Sequence, residues 1–205
     1  MNTRAAMLPV LCALLMLTAC AKAPTEQIAA AEKAVTEAQQ SGAATYVADE
    51  YAKIEGTMAA LKKEVSEQDG KFALLRDYGK ADQLGAAAKS DAERVKVEAA
   101  TKKEEAKAAA LQAQQVAQEA VVSTLALVAK APTGKDRAAL ESIKADADAL
   151  KESLNQVQTA IDAADYLAAQ TKAKAIHEKS QAVSQEIEAA LAKIGKGKPS
   201  VAKKK

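Results

Sequence analysis

The chain has 205 residues, with 29 lysines and arginines against 27 aspartates and glutamates and only 2% aromatic residues. A quarter of the residues are alanine, and alanine with lysine, glutamate, glutamine and leucine is the composition of long helices, which argues against β-sandwiches, barrels and disulfide scaffolds. The formal net charge of +2 is nearly balanced, so we expect no nucleic-acid partner.

The first 19 residues have the pattern of a secretory leader. Arg4 gives a short positive start, and residues 5–19 form an apolar stretch that is too short to span a bilayer comfortably. The stretch ends in Leu17-Thr18-Ala19-Cys20, which resembles the lipobox of bacterial lipoproteins. This resemblance implies that residues 1–19 are cleaved and that Cys20 carries the lipid. An ordinary secretory signal and an uncleaved anchor are the alternatives.

The residues after the leader extend this interpretation. Residues 20–24 form a short lipidated tether, in which Ala21 occupies the position where an aspartate would suggest retention in the inner membrane. We therefore expect an outer-membrane lipoprotein that faces the periplasm. Cys12 lies in the leader and Cys20 is modified, so the mature chain would have neither a free thiol nor a disulfide.

Five helices are predicted within an alanine-rich domain at residues 25–194. The first covers Thr25–Gln40 and ends at Ser41-Gly42, and the second runs from about Thr45 to Gly70. Residues 71–130 contain no proline, so one very long helix is predicted there.

A break at residues 131–134, which contain Pro132 and Gly134, separates this helix from the last two. These begin near Asp136 and end at Ile194. They either form one continuous helix or turn near Thr159, with Asp162 completing a capping box. Residues 195–205 read as a flexible basic tail with five lysines.

Apolar residues recur at alternating spacings of three and four in two segments, which is the pattern of heptad seams. The first seam consists of Val47, Tyr51, Ile54, Met58, Leu61 and Val65. The second consists of Leu140, Ile143, Ala147, Leu150, Leu154, Val157 and Ile161. The two seams superimpose at an offset of 89, which either indicates a duplicated hairpin (44–130 and 135–194) or reflects the ease of aligning any two heptad helices.

These patterns predict an all-α protein. We expect an elongated antiparallel helical bundle of coiled-coil-like hairpins around the one long helix. Alanine-rich heptads suit a monomeric bundle and a homo-oligomer equally, so the oligomeric state stays open.

The sequence offers no constellation for catalysis. His177 is the only histidine and is predicted to lie on a solvated helix surface. The chain contains no phosphate-binding glycine loop and no nucleophile elbow. We therefore expect no enzyme activity, no cofactor and no metal site.

Three features have both a structural and a functional interpretation. Four of the five aromatic residues, which either fill the first bundle or form a partner surface, are Tyr46, Tyr51, Phe72 and Tyr78. The apolar segment Ala120–Ala129 is either a buried helix end or a self-association surface. The tail, which is either a solubilising end or a contact with the cell wall, ends in Lys203, Lys204 and Lys205.

The order of these motifs resembles a known group of proteins. A lipobox precedes an alanine-rich helix, followed by the segment 43–51 (AATYVADEY) and the segment 71–78 (KFALLRDY). This order resembles an uncharacterised family of alanine-rich helical lipoproteins of Gram-negative bacteria, over roughly residues 20–100. The family implies two-helix units beneath the outer membrane and carries no known catalytic residues.

A second, functional resemblance is to Braun-type lipoproteins. These share a lipidated N-terminal cysteine, an alanine-rich heptad body and a C-terminal lysine that is joined to peptidoglycan. The chain ends in Ala202-Lys203-Lys204-Lys205, which matches that class in part, and its body is longer.

The sequence therefore favours a non-enzymatic periplasmic lipoprotein that acts as a structural spacer or tether between outer membrane and peptidoglycan. Cys20 would be the membrane anchor and the lysine tail the far contact. The alternative is a periplasmic adaptor or chaperone-like module that binds a periplasmic or outer-membrane protein through helix faces.

Overall fold

The computed structural model describes residues 22–130 and 137–196. Within these ranges the chain is all-α, as predicted, and contains no strand. The helices are α1 (Thr25–Gln40), α2 (Ala43–Tyr46), α3 (Ala48–Asp69), α4 (Gly79–Lys130), α5 (Arg137–Asp162) and α6 (Tyr166–Lys196). The chain divides into two compact units, Met1–Lys102 and Lys103–Lys205, so the boundary between them falls within α4.

Unit 1 consists of α1, α2, α3 and the first part of α4. Gln27 lies against Gly85, and further along both helices Lys96 Nζ contacts a Glu37 carboxylate oxygen at 2.7 Å, so α1 and α4 run parallel. Lys80 Nζ contacts Glu64 at 2.7 Å, while Ile54 packs near Val95, so α3 runs antiparallel to both. The unit is therefore a three-helix, up-down-up arrangement.

Two buried clusters stabilise unit 1 along its length. The first, near the end of α1, contains Ala34, Ala38, Ala43, Val47, Tyr51, Ile54, Ala92, Val95 and Ala99. The second, near the start of α1, contains Ala31, Met58, Leu61, Tyr78, Ala81 and Ala88. Most buried residues of α3 belong to the predicted seam, and alanines on α1 and α4 allow the helix backbones to approach it closely.

Unit 2 consists of the rest of α4 with α5 and α6. The side chain of Gln114 in α4 donates to Gln158 in α5 at 2.8 Å. The Lys179–Asp146 ion pair, at 3.8 Å, joins α6 to α5 at positions on either side of the tight turn between them. Those two helices are therefore antiparallel. The residues of α4 that face α6 advance along both helices together, from Ala113 beside Lys174 to Thr124 beside Ser180 and Ser184. Unit 2 is thus also up-down-up.

The buried positions of the two units repeat. Buried positions of α4 in unit 1 recur 88 residues later in α6, pairing Ala81, Gly85, Ala88, Ala92, Val95 and Ala99 with Ala169, Ala173, Ile176, Ser180, Val183 and Ile187. Positions Met58, Leu61 and Gln68 of α3 recur 89 residues later in α5 as Ala147, Leu150 and Val157. The 89-residue offset found in the sequence therefore aligns helices with the same place in their units.

The structure corrects the prediction of one helix over 71–130. Residues 70–78 are not α-helical and contain a single 3₁₀ turn at Ala73–Leu75, and α4 begins only at Gly79. The Asp77 carboxylate accepts a hydrogen bond from Gly79 N at 2.9 Å, which caps the start of α4. This hydrogen bond fixes the start of α4 at Gly79.

The structure also shows that α5 and α6 are separate helices. The turn lies at residues 163–165, a few residues after Thr159, and Ala164 has a left-handed φ of 57°. Asp165 N donates to Ala160 O and Ala164 N donates to Ile161 O, both at 2.9 Å, which is the Schellman pattern of helix termination. Asp165 rather than Asp162 caps α6, through a 3.2 Å hydrogen bond from Ala168 N.

Candidate functional site

The most unusual surface of unit 1 is the connection between α3 and α4, residues 70–78, here called the tip. Three large apolar side chains in it face solvent, with Phe72, Leu74 and Leu75 exposed by 71%, 77% and 71%. Three large apolar side chains so strongly exposed within four positions are uncommon on a helical protein unless something covers them.

A buried glutamine holds the base of the tip. The amide oxygen of Gln68 accepts hydrogen bonds from Lys71 Nζ at 3.0 Å and from Asp77 N at 3.1 Å. Its amide nitrogen donates to Glu64 Oε1 at 2.7 Å. Gln68 is only 6% exposed, and these hydrogen bonds join both ends of the tip to the end of α3 while giving its amide oxygen and its amide nitrogen each a partner.

Two further side chains fix the path of the tip. Arg76 donates to the carbonyl oxygen of Asp69, the last residue of α3, at 2.8 Å, and to that of Lys71, within the tip, at 3.1 Å. The Tyr78 hydroxyl donates to the Asp69 carboxylate, and this hydrogen bond is the main cause of the raised pKa of Tyr78. The carbonyl groups left unpaired by the end of α3 are thereby partly satisfied without further helix.

The charged groups below the tip form an ion pair rather than an acid–base pair. Hydrogen bonds from Lys80 and Gln68 hold the pKa of Glu64 below its usual range, and the same contact raises the pKa of Lys80. Both shifts favour the charged forms, and Tyr78 stays protonated. The ion pair therefore supports a positioning role at the base of the tip.

The predicted aromatic residues do not form one surface. Tyr51 and Tyr78 are buried in different clusters, and Tyr46 is half-buried beside Gly42. Only Phe72 is strongly exposed. The interpretation of these residues as bundle core therefore fits Tyr51 and Tyr78, while the interpretation as a contact surface fits Phe72 alone.

The segment Ala120–Ala129 has a buried face and an exposed face. Val121 and Thr124 are buried in unit 2, and the Thr124 hydroxyl lies within hydrogen-bond distance of Ser180 O and Ser184 Oγ. Val122 is 66% exposed. The predicted burial against the last two helices is thus present on one side of the segment only.

The remaining predicted functional residues are placed as follows. Cys20 and the three terminal lysines, Lys203, Lys204 and Lys205, lie outside the described residues. His177 is half-buried and not fully solvated as predicted: its Nε2 lies 2.9 Å from the side-chain nitrogen of Gln181, one turn along α6, while its Nδ1 is buried without a hydrogen-bond partner among the described residues. Within residues 22–130 and 137–196, no three histidines, cysteines or carboxylates are grouped as a metal site, and no helix is both long and apolar enough to cross a membrane.

Sequence reasoning missed the polar residues that support the tip. Glu64 and Gln68 follow Leu61 at spacings of three and four, so they continue the buried face of α3 after its last large apolar member. Val65, which the prediction placed in the seam, is only partly buried. The signal that could have revealed them is the heptad spacing itself, because Glu64 and Gln68 occupy the buried positions of α3 just before the apolar residues of the tip. Hydropathy alone does not reveal this pattern.

No protein-family model matches the chain, and no match is found among curated proteins or solved structures.

Proposed function

We propose that this protein is a non-enzymatic lipoprotein that spaces or tethers the outer membrane and the peptidoglycan. Acyl chains on Cys20 hold its N-terminus in the inner leaflet of the outer membrane. The terminal lysines, Lys203 to Lys205, contact the anionic wall or are joined to it. The helical units occupy the periplasm between these two ends.

The observation that supports this proposal best is the odd number of long helices in each unit. In unit 1 the chain enters with α1 and leaves with the parallel first part of α4. In unit 2 it enters with the second part of α4 and leaves with the parallel α6. Each unit therefore carries the chain from one of its own ends to the other.

This topology distinguishes a spacer from a folded-back hairpin. A unit of two or four antiparallel helices returns the chain to the end at which it entered. Such a unit brings the segment after it back towards the lipid anchor. Within each unit the three-helix arrangement avoids that return, which supports a protein with functional contacts at both termini.

The experiment compares three versions of the full chain made in a Gram-negative host. They are the natural sequence, a chain lacking Lys203–Lys205, and a triple variant with Lys203→Arg, Lys204→Arg and Lys205→Arg. Sacculi are boiled in SDS, and retained protein is measured before and after muramidase digestion. The arginine variant is the matched control because it keeps the charge and removes the primary amines that an amide bond requires.

A covalent tether predicts that only the natural sequence survives boiling and that muramidase releases it. Release of the natural chain by boiling rules out a covalent link. If unboiled sacculi then retain the natural chain and the arginine variant, and salt releases both, the tail is an ionic contact. If none of the three versions associates with sacculi, the tether is wrong and the adaptor alternative takes its place.

The anchor is tested separately with Cys20→Ala. Mass spectrometry of the purified natural chain is expected to show a cleaved leader and acyl groups on Cys20. The variant is expected to lack both and to leave the outer-membrane fraction. An unmodified Cys20 in the natural chain would refute the membrane half of the proposal and leave the wall contact to be judged by the sacculus experiment.

A further inference from the structure

Hydrogen bonds at both ends of the tip hold its backbone in place. Arg76 and Gln68 tie its two ends to the end of α3, and Tyr78 is anchored to Asp69. The exposed residues between these ties are therefore displayed by a supported loop. Because these hydrogen bonds already fix the loop backbone, the chain loses little backbone freedom when the apolar side chains enter an apolar phase, which favours insertion.

Unit 2 shows that the segment equivalent to the tip can fold with its apolar residue packed against the core. Ile161 lies 89 positions after Phe72 and is partly buried against the core of unit 2, because α5 continues to Asp162 and then turns tightly. In unit 1, α3 ends at Asp69 and Phe72 faces solvent. The exposed tip is thus not needed to reverse the chain between two helices.

The start of the mature chain lies at the same end of unit 1 as the tip. Ala23 packs against the cluster that contains Tyr78, and Gln27 in the first turn of α1 lies against Gly85 near the start of α4. Cys20 precedes Ala23 by three residues, and three residues reach at most about 11 Å. Acyl chains on Cys20 would therefore enter a bilayer close to the tip.

The composition of the tip suits a membrane interface. Lys71 and Arg76 flank the apolar residues in the sequence. Both side chains donate hydrogen bonds within the base of the tip, and their two positive charges beside an apolar surface suit a membrane interface. The nearby carboxylates of Asp69 and Asp77 already accept hydrogen bonds from Tyr78 and Gly79 N.

We propose that Phe72, Leu74 and Leu75 insert into the leaflet that holds the acyl chains of Cys20, so that unit 1 has a second membrane contact. This inference rests on the lipid anchor of the proposed function. A lipid anchor alone fixes one point and leaves the attached unit free to rotate. Anchor and tip together fix the end of unit 1 against the membrane, with the opposite end directed away from it.

The test uses tryptophan fluorescence, because the natural chain has no tryptophan. Phe72→Trp places the reporter in the tip. Val97→Trp is the matched control, since Val97 is 66% exposed and lies on α4 towards the other end of unit 1, between Val95 and Ala99 of the first cluster. Both full-length lipoproteins are reconstituted in phosphatidylethanolamine–phosphatidylglycerol vesicles, with and without brominated acyl chains.

The emission of Phe72→Trp is expected to shift to shorter wavelength on the vesicles and to be quenched by brominated chains. The emission of Val97→Trp is expected to show neither change. Adding Leu74→Ser and Leu75→Ser to Phe72→Trp is expected to lower the quenching several-fold, because two inserted apolar groups are lost. Circular dichroism confirms that each variant keeps its helices.

The outcomes separate the tip from the anchor. Equal, unquenched emission from both reporters on an acylated chain overturns the inference and leaves the lipid anchor intact; a protein partner is then the occupant to seek. If mass spectrometry shows no acyl groups and Phe72→Trp is still quenched, the tip contact stands and the anchor is refuted. Quenching of both reporters also overturns the inference, since it means contact along the unit and not at the tip.

Discussion

At the scale of single residues, Ala164 explains why the sequence alone did not decide whether α5 and α6 form one helix or two. Ala164 adopts the left-handed φ of 57° that a Schellman cap needs, a position that glycine usually fills. Near α1 the same backbone conformation is carried by Gly42, with φ of 90°, and there the helix end was predicted correctly. The left-handed conformation costs an L-residue other than glycine about 1 kcal/mol.

Ala164→Gly is therefore expected to stabilise unit 2 by up to about 1 kcal/mol, because the strain is removed while the hydrogen bonds of the turn remain. Chemical denaturation followed by circular dichroism measures the change. Ala163→Gly is the control, since residue 163 has a negative φ and glycine there only adds freedom to the unfolded chain. Stabilisation by both substitutions, or by neither, would contradict the argument.

The Glu64–Lys80 pair gives a pH dependence whose sign can be worked out. Hydrogen bonds from Lys80 and Gln68 lower the pKa of Glu64 in the folded chain from its ordinary value of 4.5. A lowered folded pKa contributes stability that is fully present above the ordinary value and is lost as the pH falls through the folded value. The unfolded chain binds the proton first, so acid weakens the base of the tip.

Glu64→Gln is expected to lower the thermal midpoint at neutral pH and to flatten its decrease below about pH 4.5. Thermal unfolding monitored between neutral pH and pH 3 tests this difference. Glu104→Gln, at an exposed position of α4, is the control and is expected to follow the natural chain. If Glu64→Gln and the natural chain lose stability in parallel on acidification, the pair contributes nothing to the pH dependence.

At the scale of elements, α3 and the tip place leucine in opposite environments, one buried and one exposed. Leu61 is fully buried in the second cluster of unit 1, whereas Leu74 is 77% exposed. Leu61→Ala is expected to destabilise the protein by about 3 kcal/mol, since it removes transfer energy and leaves a cavity. Leu74→Ala is expected to change stability by less than about 0.5 kcal/mol.

Urea denaturation of both variants tests this contrast, and vesicle binding of Leu74→Ala tests whether its role lies elsewhere. A loss above about 2 kcal/mol in Leu74→Ala would mean that the tip is part of the core and that its exposure is not functional. The two leucines lie in the same unit, so the comparison needs no assumption about unit 2.

The sequence predicted the elements whose stability comes from periodic burial. The seams of α3 and α5 stand out because heptad spacing is a regular signal, and α1 has the predicted bounds. The tip was predicted to be part of a helix because residues 71–130 contain no proline. What ends α3 is a set of side-chain hydrogen bonds: Gln68 accepts one from Asp77 N, and Arg76 and Tyr78 each donate one to Asp69. Such contacts depend on the fold and not on local propensity.

At the scale of the whole molecule, the two units repeat one plan of burial with different chemistry. In unit 1 the equivalent positions of α4 are filled mainly by alanine, and two of these alanines, Ala88 and Ala99, correspond to Ile176 and Ile187 in α6. Small residues bring helices close, while larger aliphatic residues bury more apolar area per turn. The repeat therefore accommodates different side-chain volumes without changing the direction of the helices.

The boundary between the units gives a last prediction. It falls between Lys102 and Lys103, yet the backbone is helical from Gly79 to Lys130. Trypsin needs an extended segment in its active site, so it cleaves loops far faster than helices. Within residues 22–130, we expect the first cuts after Lys71 or Arg76 in the tip and none after Lys102 or Lys103 until the units unfold.

Limited digestion of the full chain, with the fragments identified by mass, measures this order. Lys102 and Lys103 make trypsin a sensitive probe of the boundary, because either side chain directs cleavage if the helix is interrupted there. Early cuts at 102–103 would show that α4 is broken at the boundary and that a hinge joins the units. Cuts confined to the tip, and suppressed when the acylated protein is on vesicles, would support both the continuous helix and the immersion of the tip.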